Sequence, residues 1–280
     1  MNGNATIAPG GSPGELRTAR GSDAAELTYR FFAPAEGDHR GNIVHLHGIQ
    51  SHSGWYVETA AELAKRGYAV YLCDRRGSGR SRAPRGDFAK SQQLVDDVGT
   101  IVDEAGEQPT VLIGGCWGAR PAVAYTAQSP SRIAGLALVA PALKAKVDLT
   151  PQRKAQVFTR QGRVPIPLTP ELFTDNQPYL DFVRNDPLSL HDVTARFFFS
   201  QFFWDKRLLA QRSLGVPVLM LQPGPDPVVD VDEVRAWYDQ LAAPRKQVIR
   251  YEGFGHILDF APERARFWND LAGWLDEVTA

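Results

Sequence analysis

The sequence predicts an α/β fold in which a mostly parallel sheet is flanked by helices. From Leu27 onward, short apolar runs alternate with amphipathic segments long enough to form helices, and this alternation is typical of a parallel sheet covered on its faces. The 280 residues, 43% of them hydrophobic, suffice to bury the core of one large domain. The sequence contains no internal repeat of the kind that indicates a solenoid or a propeller.

The predicted elements follow in order along the chain. A hairpin from about Glu15 to Phe32 precedes the parallel strands. The predicted strands are short apolar runs at residues 43–46, 69–73, 110–113, 135–139, 216–221 and 247–251. The predicted helices occupy residues 55–65, 91–105, 117–128, 231–241 and 262–275.

Two segments depart from this alternation. Residues 1–14 are polar and rich in Gly, Asn and Pro, which predicts a flexible N-terminal tail. Residues 143–212 contain scattered prolines and many aromatic residues, which predicts a helical cap inserted after strand six. The core would then comprise residues 15–142 and 213–280. Open α/β sheets bind ligands at the carboxyl ends of their strands, where such a cap would lie.

Composition excludes several classes of function. The net charge of −1 gives no basic surface for nucleic acid, and no apolar run is long enough to span a membrane. The first residues lack a signal-peptide pattern, and two cysteines cannot form a disulfide framework, so we expect a soluble, cytoplasmic protein. We predict no metal and no cofactor, because no cluster has metal-ligand spacing and no P-loop is present. Residues 74–81 contain Gly-x-Gly, but Arg82 stands where a dinucleotide loop needs its third glycine.

The segment Gly114-Gly115-Cys116-Trp117-Gly118 fits the G-x-nucleophile-x-G turn between a strand and a helix, with a thiol in place of the usual hydroxyl. The flanking glycines suit a turn so tight that a Cβ atom would collide with its surroundings. Cys116 is therefore the predicted nucleophile for acyl chemistry. The other cysteine, Cys73, lies in a predicted strand and is expected to be inert packing.

A nucleophile of this kind needs a base and a group that orients the base. His256 follows the last predicted strand on a Gly-rich loop, and Asp226 follows the strand before it. Alone, each has a plainer interpretation as a loop histidine or a turn residue, but the order nucleophile, acid, histidine predicts a triad. Asp230 is the rival acid, and we expect it to cap the helix beginning at Val231. The remaining histidines apart from His52 are expected to be structural.

The oxyanion hole is predicted from main-chain N–H groups. Ile49 follows the first parallel strand at His47-Gly48, and Trp117 begins the helix after the nucleophile. His47 would then be a buried scaffold residue. The aromatic residues of the cap predict an apolar acyl-binding surface, although cap helices also need apolar residues simply to pack. The predicted substrate contacts are His52, Phe158, Phe199 and Phe203.

With these residues assigned, the chain resembles the α/β-hydrolase superfamily, in its lysophospholipase and monoacylglycerol-lipase-like branch of serine-aminopeptidase-type hydrolases. The resemblance extends from about Leu27 to the end. It rests on the nucleophile turn at residues 114–118, called the elbow below, and on the Asp226 and His256 segments. It rests also on two motifs, His47-Gly48-Ile-Gln-Ser-His52-Ser-Gly54-Trp-Tyr56 and Asp74-Arg-Arg-Gly77-Ser-Gly79-Arg-Ser81. It implies a sheet of about eight strands, a lid after strand six, no cofactor, and hydrolysis of carboxylic esters.

The chain departs from this branch at Cys116, where serine is typical. Dienelactone hydrolases and polyhydroxyalkanoate synthases also use a cysteine at the elbow, and a serine replaced by cysteine would give the same sequence. A thiolate beside an imidazolium favours esters, lactones or thioesters over peptides. The predicted function is hydrolysis of an acyl substrate through a Cys116 thioester. The alternatives are an acyltransferase or cyclising thioesterase and, from another class, a ligand sensor built on a hydrolase scaffold. The sequence leaves the oligomeric state open.

Overall fold

The computed structural model describes residues 6–35, 39–146 and 149–280. Its dominant feature is an eight-stranded sheet, accompanied by a separate pair of short strands. The strands are β1 (Glu15–Arg20), β2 (Glu26–Phe32), β3 (Gly41–Leu46), β4 (Tyr68–Cys73), β5 (Thr110–Gly115), β6 (Gly135–Val139), β7 (Arg163–Pro165), β8 (Asp192–Thr194), β9 (Val218–Pro223) and β10 (Lys246–Tyr251).

The order of strands across the large sheet is β1-β2-β4-β3-β5-β6-β9-β10. Strand β2 pairs antiparallel with both β1 and β4, and the other neighbours are parallel. The carboxyl ends of β3, β5, β6, β9 and β10 therefore meet at one edge of the sheet. The predicted opening hairpin is confirmed as β1 and β2.

Helices cover both faces of the sheet. They are α1 (Val57–Lys65), α2 (Ser91–Ala105), α3 (Ala119–Gln128), α4 (Pro151–Thr159), α5 (Gln177–Asn185), α6 (Ala195–Leu209), α7 (Val231–Asp239) and α8 (Arg264–Thr279). Side chains alternate between the faces, so that Val44 belongs to the buried cluster that includes residues of α2, α3 and α7, whereas Ile43 belongs to the cluster that includes residues of α1 and α8. Because both faces are covered, the central strands consist almost entirely of buried residues.

The observed ends differ from the predicted ones where a local turn or a proline intervenes. Ser53–Tyr56 and Cys116–Gly118 form 3₁₀ turns, so α1 and α3 begin later than their apolar patterns suggest. Strand β9 begins at Val218 because Pro217, which has no N–H to donate, immediately precedes it.

The segment between β6 and β9 contains α4, α5 and α6, together with the antiparallel pair β7 and β8. The predicted cap was wholly helical. The added strands have three residues each, too short for an alternating pattern to reveal them. In the part of the chain that the structure describes, no helix is both long and apolar enough to cross a lipid bilayer.

The N-terminal segment also differs from its prediction. Ile7 and Ala8 are buried against the α1 face, and the N–H of Ala8 donates to the carbonyl of Gly54 at 2.9 Å. The predicted tail therefore packs on the core at Ile7 and Ala8, and its residues 1–5 lie outside the described part. Two apolar residues were too short a run to signal this contact.

Candidate active site

Cys116 occupies a strained turn at the carboxyl end of β5. Its φ of +49° lies in the left-handed region, which non-glycine residues rarely adopt. A Cβ atom on Gly114 would lie 2.8 Å from the Cα of Ala119, and one on Gly118 would lie 2.1 Å from the carbonyl oxygen of Leu46. Both positions therefore require glycine, because Gly114 in β5 lies against α3 and Gly118 in the turn lies against the end of β3, too close for a larger residue.

His256 and Asp226 meet at the same edge of the sheet. The Nδ1–H of His256 donates to Oδ2 of Asp226 at 2.8 Å, and both side chains are completely buried. The other carboxylate oxygen accepts the N–H groups of Val228 and Val229 at 2.8 and 3.1 Å. These bonds fix the carboxylate and hold the imidazole in the tautomer or protonation state with a proton on Nδ1.

The charges in this cluster are strongly coupled. Burial would raise the pKa of Asp226, but the charge and hydrogen bond of His256 and the two main-chain donors together lower it. Burial would likewise lower the pKa of His256, but the neighbouring charges of Cys116 and Asp226 raise it to about 10. The imidazole is thus stabilised as a cation between two groups that can carry negative charge. This arrangement suits a thiolate–imidazolium pair.

The loop after β3 packs directly against the nucleophile candidate. A Cβ atom on Gly48 would lie 3.2 Å from the Cβ and 3.4 Å from the Sγ of Cys116. His47 donates from Nδ1 to the carbonyl of Gly48 at 2.7 Å and accepts the N–H of Arg75 on Nε2 at 2.9 Å. Burial and the charge of Arg75 hold the pKa of His47 well below its ordinary value. Neutral and bonded at both nitrogens, His47 has the scaffold role predicted for it.

A cavity of about 480 Å³ opens above Cys116. Ile49, Cys116 and Trp117 line its floor, and the cap supplies most of its walls. The apolar wall residues include Leu149, Val157, Phe158, Ile166, Leu168, Phe198, Phe199 and Phe202. Although Cys116 is only 4% exposed, it therefore borders a cavity large enough for an acyl chain.

Two of the four predicted substrate contacts line this cavity, namely Phe158 and Phe199. His52 does not, because it is fully buried, with Nε2 bonded to Asp186 at 2.9 Å and Nδ1 accepting the N–H of Gly54 at 3.0 Å. The bond to Asp186 connects the loop after β3 to the part of the cap that follows α5. Phe203 is 48% exposed and lies on the outer side of α6. The aromatic run alone could not show which of its rings face inward.

One wall of the cavity is polar, which was not predicted from the sequence. Arg120 donates to both carboxylate oxygens of Asp205, at 2.6 and 3.1 Å, and Trp117 donates from Nε1 to Gln201 at 2.9 Å. All four side chains line the cavity. These bonds connect α6 of the cap to the elbow and α3. The detectable clue was an arginine four residues after Cys116, which places a charge on the same helical face.

Two subsidiary predictions are confirmed. Asp230 accepts the N–H of Glu233 at 3.1 Å and caps α7, which leaves Asp226 as the acid beside His256. Cys73 is buried, and burial raises the pKa of its thiol above the ordinary range. A neutral, enclosed thiol is suited to packing.

A further buried carboxyl group, which was not predicted from the sequence, lies close to Cys116 and His256. Asp259 accepts the hydroxyl of Thr59 at 2.5 Å, and Thr59 in turn accepts Nε1 of Trp268 at 2.7 Å. Burial raises the pKa of Asp259 to about 6. The side chain borders a small buried space that Cys116 and His256 also border.

Comparison with known proteins agrees with this architecture. A family described as serine aminopeptidase S33 (Hydrolase_4) matches residues 37–263. The phospholipase YtpA of Bacillus subtilis (strain 168) is 25% identical over 252 residues, which cover 84% of this chain and 95% of that protein. The monoacylglycerol lipase of Mycolicibacterium smegmatis is 26% identical over 275 residues, which cover 91% and 94%.

Among solved structures, the monoacylglycerol lipase of Paleococcus ferrophilus is similar, with a TM-score of 0.82 and 24% identity over 90% of this chain and 99% of that chain. This likeness supports the fold, and the family match covers most of the sequence. The chain belongs to the serine aminopeptidase S33 family and is a hydrolase with the α/β-hydrolase fold.

Proposed function

We propose that the protein hydrolyses carboxylic esters or thioesters through a thioester on Cys116, with His256 and Asp226 completing a triad. The observation that carries this proposal is the strained elbow at Cys116, which borders an apolar cavity beside a buried His256–Asp226 pair. Family membership supports the reaction class, and the three side chains supply a nucleophile, a base and an orienting group.

The reaction has two stages. The Cys116 thiolate attacks the acyl carbonyl, and the N–H groups of Ile49 and Trp117 stabilise the resulting oxyanion. As the tetrahedral intermediate collapses, imidazolium His256 protonates the leaving alcohol or thiol. His256 is then neutral and takes a proton from a water molecule as that water attacks the thioester. Collapse of the second tetrahedral intermediate releases the acid and restores the thiolate. Asp226 holds the imidazole throughout and stabilises its cationic form.

The cavity indicates the class of substrate. Its walls are mainly aliphatic and aromatic, so we infer an apolar acyl chain held against the cap. Two similar proteins are a phospholipase and a monoacylglycerol lipase, and this supports a lipid-like ester as the substrate. The tetrahedral intermediate formed by thiolate attack loses an alcohol or a thiol more readily than an amine, because an amine must be protonated before it leaves.

A panel of acyl esters and thioesters, assayed with the wild-type protein and the Cys116→Ala and Cys116→Ser variants, tests the proposal. We expect C116A to lose at least about 10³-fold in kcat/KM, as for removal of a triad nucleophile. Acid as the main product in water supports hydrolysis. An ester or amide formed when an alcohol or amine is added would assign acyl transfer instead, and wild-type turnover by C116A would refute the thioester.

A further inference from the structure

The motif at residues 74–81 builds a loop beside the site, although nothing in the proposed reaction uses it. The Asp74 carboxylate accepts the N–H groups of Ser53 and Arg80, both at 2.8 Å. Gly79 has a φ of +52°, and a Cβ atom there would lie 2.4 Å from the carboxyl carbon of Asp74. The loop is therefore folded tightly around Asp74, and this fixes the position of the next residue, Arg75.

The Arg75 side chain extends from this loop and contacts both Ile49 and Trp117, the residues predicted to supply the oxyanion donors. Its Nη1 donates to the carbonyl of Gly48 at 3.1 Å, and its Nη2 donates to the carbonyl of Ile49 at 3.0 Å. The guanidinium carbon lies 4.6 Å from the ring centroid of Trp117, within the range of a cation–π contact. Burial lowers the pKa of Arg75 to about 9, so the side chain remains a cation at neutral pH.

The bond to Gly48 determines where the N–H of Ile49 points. The carbonyl of Gly48 and the N–H of Ile49 belong to one planar trans peptide, so they point in opposite directions. Arg75 and His47 both bind that carbonyl. Glycine has wide conformational freedom, and without these bonds the Gly48–Ile49 peptide could rotate and withdraw the Ile49 N–H from the site.

We infer that Arg75 is a positioning residue that fixes the Gly48–Ile49 peptide and the Trp117 ring so that two main-chain N–H groups face the oxyanion. The inference rests on the proposed function. Arg75 acts through its neighbours, and no contact between it and the substrate is required. The bidentate reach to two carbonyls explains why arginine is needed, since lysine offers a single ammonium centre.

The expected effect follows from the value of an oxyanion donor. Removing one such donor lowers kcat by roughly 10²–10³-fold. His47 would still bind the Gly48 carbonyl in an Arg75 variant, so we expect a smaller loss of about 10–100-fold. Because the donors act on the transition state, KM should change by less than about threefold.

The experiment compares Arg75→Lys and Arg75→Met with the wild-type protein, using burst-phase acylation by a nitrophenyl ester. Alkylation of Cys116 by iodoacetamide is measured in parallel, since that reaction forms no oxyanion. The variant R75K keeps the positive charge near the sulfur. We expect its acylation rate to fall by at least tenfold while its alkylation rate stays within about threefold of the wild type.

Arg76→Met is the matched control. Arg76 pairs with Asp23 at 2.7 Å and Asp97 at 2.6 Å, away from the oxyanion loop. We expect a lower melting temperature but an unchanged kcat for R76M. Equal losses of acylation and alkylation in R75K would show a structural role and overturn the inference.

The outcomes separate this inference from the proposed function. If R75M does not fold, R75K decides, and acylation by R75K within threefold of the wild type would overturn the inference. If C116A is inactive while both Arg75 variants acylate normally, the triad proposal stands and only the Arg75 role is wrong. If C116A still turns over, the proposed function itself fails.

Discussion

The proposed chemistry depends on the coupling between Cys116 and His256. The charge of Cys116 raises the pKa of His256, and the same interaction stabilises a thiolate whenever the imidazole is protonated. Asp226 contributes in the same direction, and its own pKa is lowered by His256 and by main-chain donors. In the proposed mechanism the pair is ionised before attack, unlike a serine that must lose its proton during attack.

Under the proposed function, this coupling predicts that alkylation of Cys116 depends little on pH. Iodoacetamide should label the wild-type protein rapidly at pH 6.5, where an ordinary thiol with a pKa of about 8.5 is almost wholly protonated. The raised pKa of His256 keeps the imidazolium present from that pH up to about 10, so the labelling rate should vary little over this range. Stopped-time labelling followed by mass spectrometry measures it.

The variants Asp226→Asn and His256→Ala provide the contrast. Each removes charge that supports the pair, so labelling at pH 6.5 should slow by about tenfold or more. Cys73 is an internal control, because its buried neutral thiol should remain unlabelled. A labelling rate that rises through pH 8.5 in the wild type, as for a free thiol, would contradict the ion pair.

At the scale of elements, the strands that carry the site were predictable and the inner surface of the cap was not. Runs such as Val111-Leu112-Ile113 are buried on both faces, and a continuous apolar run is the signal of a central parallel strand. In α6, apolar rings follow one another without an amphipathic period, so the sequence could not distinguish Phe199, which lines the cavity, from Phe203, which does not. The tertiary contacts of the cap decide this.

The two rings form a matched pair of variants. Phe199→Ala should lower kcat/KM for octanoyl and longer esters by about tenfold, because about 1–2 kcal/mol of apolar contact is lost. Acetyl ester hydrolysis should be nearly unchanged, since a short chain does not fill the cavity. Phe203→Ala should leave both within about twofold. An equal effect of the two variants across chain lengths would place the acyl chain elsewhere.

The ion pair between Arg120 and Asp205 should anchor α6 to α3. Arg120 is 2% exposed, and removing one partner of such a pair leaves a buried charge without compensation. Asp205→Ala should therefore lower the free energy of unfolding by about 3 kcal/mol, as measured by urea denaturation. The exposed pair Arg235–Asp239 is the control, and Asp239→Ala should change stability by less than about 1 kcal/mol.

A double variant tests whether D205A loses stability because the charge of Arg120 is left buried without a partner. Arg120→Met with Asp205→Leu should recover most of the stability, since apolar replacement of a buried pair is often neutral. A D205A protein as stable as the wild type would show that the pair contributes nothing to the cap position.

For the molecule as a whole, chain order and spacing were enough to predict a cluster at one sheet edge. Cys116, Asp226 and His256 follow β5, β9 and β10, and parallel strands bring their carboxyl ends together. The hydrogen bonds from Arg75 to the carbonyls of Gly48 and Ile49 could not be predicted, because they depend on the conformation of the Gly48–Ile49 peptide. His52 was misplaced because its partner, Asp186, lies 134 residues away in the sequence.

The most direct measurement is identification of the acyl-enzyme. Intact-protein and peptide mass spectrometry after rapid quenching of a reaction with an octanoyl thioester should show one added octanoyl group, mapped to Cys116 and removed by hydroxylamine at neutral pH. A C116A protein should carry no adduct. Turnover of the substrate with no adduct at Cys116, or an adduct on another residue that persists in C116A, would contradict the account.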